Sequence, residues 1–390
     1  MATTVGPGVQ SPVPAGVPVG TGGAPRGGRR RGPRREGTAG WLFVAPTVLV
    51  LGVFLLVPVL MAAWVSVSDW TGRGTPFGGS VQFVGARNYT DVLGGQGLGA
   101  RDFGTAVRNN LYYVLLVVPL QTALALALAV LVSRRALRGR GFFRTAFYFP
   151  SVTSSVAITV LWLFLFSASG AVNRLLSFLS INGPNWFQDP RGVLHLLLGV
   201  VGVDQAPAAL SRPGLFGISG WEWLAGPSVA MSAFVLMAVF TTSGTFMLLF
   251  IAALQNLSDE VDEAAMVDGA NAWQRFWYVT VPQLRPTLFT VLTLGLIGTW
   301  QVFDQIYTGT QGGPAKTTLT PAYLSYEAAF NNQQWGRGAA IAFVLFAIIV
   351  VLTLIQRAVM AERGVRPARR PRLGRTARRA TPETARRVES

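Results

Sequence analysis

The sequence predicts an all-α membrane protein with six transmembrane helices. Three observations carry that prediction. Of 390 residues, 51% are hydrophobic and 13% charged, against about 25% charge in an average soluble domain. The apolar residues gather into runs of roughly 20, the length that crosses a bilayer. The charges fall between those runs and beyond them, chiefly in two arginine-rich ends.

Taken in chain order, residues 1–39 are rich in Gly, Pro and Arg and lack the aliphatic content to bury a core. They are expected to be a disordered basic tail. They do not read as a cleavable signal peptide, because the first apolar run is already long enough to span. The membrane domain, 40–357, holds six spans at about 41–67, 111–133, 147–169, 229–254, 287–309 and 338–357. Pro46, Pro58 and Pro150 lie in or at the start of spans, where neighbouring helices re-satisfy the hydrogen bonds that proline removes. A further apolar stretch, GVLHLLLGVVGV at 192–203, has 12 residues. That is too short to span and is expected to be an interfacial or re-entrant helix. Residues 358–390 form a second Arg-rich tail, again expected to be disordered.

Six spans put both termini on one side. That side carries 24 of the 33 Lys and Arg residues and the other carries 9. The positive-inside bias therefore assigns both tails, the 134–144 loop with its five arginines and the 255–286 loop to the cytoplasm. Catalytic classes are thinly supported. There is no cysteine and a single histidine, His195, so disulfide frameworks, thiolate chemistry and multi-histidine metal sites are excluded. GTQGGPAKTT at 309–318 has the look of a phosphate loop, but Ala315 stands where the glycine before Lys316 would be required. No spacing of carboxylates or of nucleophile and base suggests catalysis.

The 255–286 loop is unusual for so apolar a chain. Ser258 is placed to cap a helix, with Asp259 and Glu260 in a first turn that suits the helix dipole. Val261, Ala264, Ala265 and Asp268 then share one narrow, small-residue face. Gly269 is placed to end that helix. Asn271 with Gln274 forms a second start signal of the capping-box type. Trp273, Phe276, Trp277 and Thr280 line one face of the second helix, and Pro282 and Pro286 lead into the next span. The reading is a helix–glycine–helix elbow; periodicity alone leaves an ordinary amphipathic loop equally open.

The spacing narrows the choice. Glu263-Ala264-Ala265, Gly269, Val279, Val281 and Pro282 match the pattern of the EAA loop in permease subunits of binding-protein-dependent ABC importers, which this stretch resembles at every fixed position. The resemblance covers most of 41–357. FVGARNY (83–89), RNNL (108–111), the segment 139–176, EWLAGPSVAM (222–231) and the Gly-Gly-Pro region 307–342 resemble sugar permeases of the MalF-like type. The stretch between Trp186 and Trp223 has no counterpart in that pattern.

The resemblance implies a MetI-like type I importer fold in a bacterial cytoplasmic membrane. It implies that Glu263, Ala264, Ala265, Asp268, Gly269 and Pro282 belong to a coupling helix docked on a cytoplasmic ATPase. The partners it implies are a MalG-like second permease, an ABC ATPase dimer that holds ATP and Mg, and an extracytoplasmic sugar-binding protein. This chain itself is then non-catalytic and binds no cofactor or metal. The middle of the fifth span would line the substrate path, where Thr299, Trp300, Gln301, Phe303 and Asp304 mix hydrogen-bonding groups with aromatic faces. Gly295 and Gly298 suit close helix approach. The imported solute is expected to be a sugar or oligosaccharide, with a glycerol phosphate the alternative for the same architecture. A stand-alone secondary transporter would call for internal repeats or several mid-span charges, and neither is evident. The Arg-rich tails lack interleaved aromatics, so contact with anionic membrane lipids explains them more simply than nucleic acid does.

Overall fold

The computed structural model describes residues 33–94, 97–133, 137–203 and 205–360, with side chains from Gly40 onward. Among these residues the structure is helical, and extended pairing is limited to isolated bridges such as Gly192 with Ser228. The chain divides at Pro58 into two compact units. Most of the two expected tails, 1–32 and 361–390, lies outside the described residues.

The first unit is α1 (Pro33–Leu51) followed by a π-helical turn at Gly52–Leu56. The helix begins at Pro33, inside the stretch expected to be a disordered tail. A proline at a helix start costs nothing, since its φ is already helical and its missing N–H would have no partner. The π turn also has a proline cause. Pro58 has no N–H to offer the carbonyl four residues back, and the chain absorbs the slip by letting Val57 N–H donate to Gly52 O. The apolar side chains of this unit, Leu42, Phe43 and Phe54 among them, are exposed.

The first span is completed by α2 (Val57–Ser66). A short α3 (Arg87–Leu93) precedes α4 (Leu98–Ser133), whose 36 residues begin well before the expected boundary at 111. At about 1.5 Å per residue it is longer than a bilayer is thick. The third span, expected as one helix over 147–169, is two: α5 (Arg140–Val152) and α6 (Ser155–Leu165), bent by 99°. The bend falls at Thr153 and Ser154, both with extended backbone. Close contact fixes α5 on the other side, because Gly244 lets α10 approach so tightly that a Cβ there would meet Phe147 O.

Three short helices fill the following connection: α7 (Ala171–Phe178), α8 (Val193–Val200) and α9 (Gly220–Trp223). The fourth span is α10 (Val229–Gln255), packed along α4 and α5. The elbow follows as α11 (Asp259–Val267), α12 (Ala272–Arg275), a π turn and α13 (Val281–Gln283). The fifth span, α14 (Arg285–Trp300), rests on α4 and then breaks; α15 (Asp304–Gly309) resumes beside α6. The Thr320 hydroxyl donates to Val302 O (3.1 Å) and so satisfies a carbonyl that the break would orphan. The sixth span, α17 (Trp335–Met360), carries α16 (Pro321–Tyr326) and α3 against its start. Among the described residues five helical stretches are long and apolar enough to cross a membrane, and six if the bent pair α5–α6 counts as one span.

Candidate functional site

Two places collect the residues of interest: the elbow at one end of the bundle, and a cleft between the spans.

At the elbow, the backbone decides the shape. Ser258 occupies the cap position of α11 with extended backbone, but its hydroxyl makes no capping hydrogen bond, contrary to expectation. The acidic first turn of Asp259, Glu260 and Asp262 remains to favour the helix start. The other end is closed as expected. Ala270 N–H donates to Ala265 O and Gly269 N–H to Met266 O, both at 3.0 Å. This is a Schellman closure. Gly269 has φ +81°, and a Cβ there would meet nothing within 4 Å. Conformation alone therefore requires the glycine. The second helix starts with the expected reciprocal cap: Gln274 N–H donates to Asn271 Oδ1 and Asn271 N–H to Gln274 Oε1, both at 2.9 Å.

Features invisible in the sequence hold the two arms together. Arg275 Nη1 lies 3.6 Å from Asp262 Oδ2, pairing α12 with α11. A π turn at Phe276–Thr280 precedes Pro282, as one precedes Pro58, and Val281 N–H reaches Phe276 O. Leu284 is then fully buried against Ala125 and Val132 of α4 and Phe250 of α10. Glu263, Ala264 and Asp268 are exposed, Ala265 and Pro282 partly buried. Val267 and Trp273 stand out into solvent as well, at 88% and 70% exposure. The elbow thus presents a mixed acidic and apolar surface, and buried Leu284 with partly buried Leu257 packs it into the cluster formed with α4 and α10.

The cleft has two adjoining lobes of about 380 and 290 Å³, which share Thr241, Thr242, Phe246 and Gln305. Of the five residues expected on the substrate path, Thr299, Gln301, Phe303 and Asp304 line the larger lobe. Trp300 does not. It is buried in a separate cluster with Val114, Val118, Leu345 and Ile349. Thr299 and Trp300 are consecutive helical positions and point about 100° apart, whereas Gln301 lies past the helix end at Trp300 and turns back to the lobe.

The lining is rich in hydroxyls whose protons are already committed. Thr241 and Thr299 donate to Met237 O and Gly295 O, and Thr242 directs its proton to Gln121 Oε1 (2.5 Å) with Ala238 O (2.6 Å) as the competing acceptor. Ser151 donates to Thr241 O (2.6 Å) and Thr153 to Phe149 O (3.0 Å). Such back-bonding leaves acceptor lone pairs for a guest. Gln121, which sequence reasoning missed, is buried and shares a 2.5 Å hydrogen bond with Thr242, while its amide nitrogen has no partner among the described residues. Gly295 makes room for it, since a Cβ there would meet Gln121 Nε2 at 2.5 Å. Among the described residues no lysine or arginine lines either lobe, and Asp304 is the one charged residue that does.

A multi-pass helical bundle with a polar cleft between its spans, and a stiffened elbow at one end, has the layout of a membrane transport component. The chain belongs to the family of binding-protein-dependent transport system inner membrane components, whose pattern matches residues 121–363. It is the non-catalytic membrane part of such a system. The lactose transport system permease protein LacF of Rhizobium radiobacter is 32% identical over 330 residues, covering 83% of this chain and 94% of the relative. The trehalose/maltose transport system permease protein MalF of Thermococcus litoralis is 29% identical, covering 82% and 93%. Among solved structures, a bacterial alginate ABC transporter in complex with an alginate pentasaccharide-bound periplasmic protein matches with a TM-score of 0.60 at 17% identity. That match covers 84% of this chain and 94% of the other, and it supports the fold.

Proposed function

We propose that this chain is a permease subunit of an ATP-driven importer that takes up a sugar or oligosaccharide delivered by an extracytoplasmic binding protein. Its elbow docks on an ABC ATPase dimer, which holds the ATP and Mg; a second, MalG-like permease completes the translocation path. Both termini and the elbow face the cytoplasm of a bacterial cell, following the positive-inside bias.

The observation that carries this reading is the build of the elbow. Exposed Glu263, Ala264 and Asp268 stand on a helix closed by left-handed Gly269 and tied through Leu284 into α4 and α10. A partner that moves the elbow therefore moves the walls of the cleft. The sugar assignment is favoured by relatives named for lactose and for trehalose and maltose. It is favoured too by a lining of hydroxyls and amides without a cation, which suits a neutral polyol better than a glycerol phosphate.

The test is to reconstitute the chain with the permease, ATPase and binding protein encoded beside it. Glu263→Lys and Gly269→Val are expected to abolish sugar uptake while the ATPase subunits retain basal hydrolysis. Uptake at the wild-type rate by both variants would overturn the coupling role of the elbow.

A further inference from the structure

The connection between α6 and α10 contains structure that belongs neither to the elbow nor to the cleft lining. Residues 189–194 run beside the chain that enters α10. Val193 N–H donates to Pro227 O and Val229 N–H to Arg191 O, at 2.9 and 3.0 Å, and Ala230 N–H reaches Asp189 O at 3.2 Å. Ser228 caps the first turn of α10. Helix α8 therefore leaves the chain at the level where a membrane span begins.

α8 reads VLHLLLGV, and its one polar side chain is turned inward. The His195 ring stacks on Trp221 at 4.3 Å, with Nε2 3.1 Å from Trp221 O. What remains outside is apolar: Leu197, Val200 and Val201 are 59%, 87% and 79% exposed. A helix that is apolar all round must be covered, yet eight residues, about 12 Å, cannot cross a bilayer. α7, just beyond the third span, repeats the arrangement. Asn173 faces inward and donates to Ala168 O and Pro184 O, while Leu175, Phe178 and Leu179 are exposed.

We propose that α7 and α8 are interfacial anchors that lie in the plane of the membrane, with Leu175, Phe178, Leu179, Leu197, Val200 and Val201 seated among lipid acyl chains of the leaflet opposite the elbow. Continuity argues for lipid as the occupant. Phe164 on α6 and Leu236 on α10, in the adjoining apolar spans, are likewise exposed, and apolar side chains exposed on a span are the surface that lipid covers, which the anchors would extend at its end. Charge agrees, since Arg174 on α7 is exposed and suits a lipid phosphate. Trp221 and Trp223 fit the aromatic belt at that depth. The inference does not depend on the transported solute or on the ATPase.

The chain has no cysteine, so single labels can be placed directly. Val200→Cys and Phe178→Cys, each carrying a nitroxide, are compared with Ser211→Cys on an exposed loop. The full complex is held in nanodiscs of phosphatidylethanolamine and phosphatidylglycerol. Expected is a several-fold higher ratio of oxygen to nickel-chelate collision at 178 and 200 than at 211. Nickel-chelate access equal to that at 211 would overturn the proposal, because it means water. Shelter from both reagents would overturn it equally, because it means a protein cover; Val201→Cys, one position on, serves if a label at 200 disturbs folding.

Discussion

At the scale of single residues, the charged pairs of this molecule act as local clamps. Arg191 donates to the Asp189 carboxylate through Nε and Nη2, at 3.0 and 2.6 Å. Those hydrogen bonds hold the Asp189 carboxyl below its usual range, against a smaller opposing effect of burial. A depressed carboxyl adds stability that is complete above its unfolded value, near ~3.9, and is lost as pH falls through the folded value. The strap from 189 to 194 should therefore stay closed through pH 4 and loosen only below it. Arg191→Gln is expected to move that loosening upward toward the ordinary aspartate range. Hydrogen exchange at the Val229 and Ala230 amides, corrected for intrinsic rates across pH 3–6, reads the shift; an unchanged midpoint would show that the pair does not govern the strap. Glu222 is balanced differently. Burial pushes its carboxyl up, but Ser219 N–H and hydroxyl together with Arg101 outweigh burial and bring it down.

At the scale of elements, the elbow matters because of how it is attached. Leu284 follows α13 directly and is buried between α4 and α10. Leu284→Ala is expected to cost roughly 2–5 kcal/mol of packing at that junction. Glu263 and Gly269 keep their places, so ATPase subunits should still co-purify while sugar-stimulated hydrolysis falls. Retained stimulation would mean that force enters the bundle elsewhere.

The elbow was largely legible in the sequence because its determinants are local: Gly269 closes its own helix, and Asn271 and Gln274 cap within four residues. Ser258 shows the limit of such reasoning, since a residue suited to capping makes no cap bond. The 99° bend between α5 and α6 was not legible. It depends on the close approach of α10 at Gly244, a contact across about 90 residues of chain. The break after Trp300 likewise depends on Thr320 from beyond α15.

At the scale of the whole molecule, the spans were readable as apolar runs, whereas the cleft was not readable as a place. Gln121, Thr242 and Gln305 come from three separate elements, and only the oddity of polar residues inside apolar helices marks them in advance. Trp300 is adjacent in sequence to cleft residues but is packed into a different cluster, with Val114, Val118, Leu345 and Ile349. Once assembled, the cleft has a chemical polarity. The hydroxyls of Thr241, Thr299, Ser151 and Thr153 have given their protons to backbone carbonyls, and that of Thr242 is held by Gln121 Oε1 and Ala238 O. Toward a guest these hydroxyls therefore act as acceptors, whereas donors come from the amides of Gln121, Gln301 and Gln305. A sugar whose hydroxyl is replaced by fluorine keeps its shape and its electronegative atom but loses the proton. Such monofluoro analogues should compete for uptake as weakly as the corresponding deoxy sugars, and competition as strong as that of the parent sugar would show that these threonines do not grip the solute.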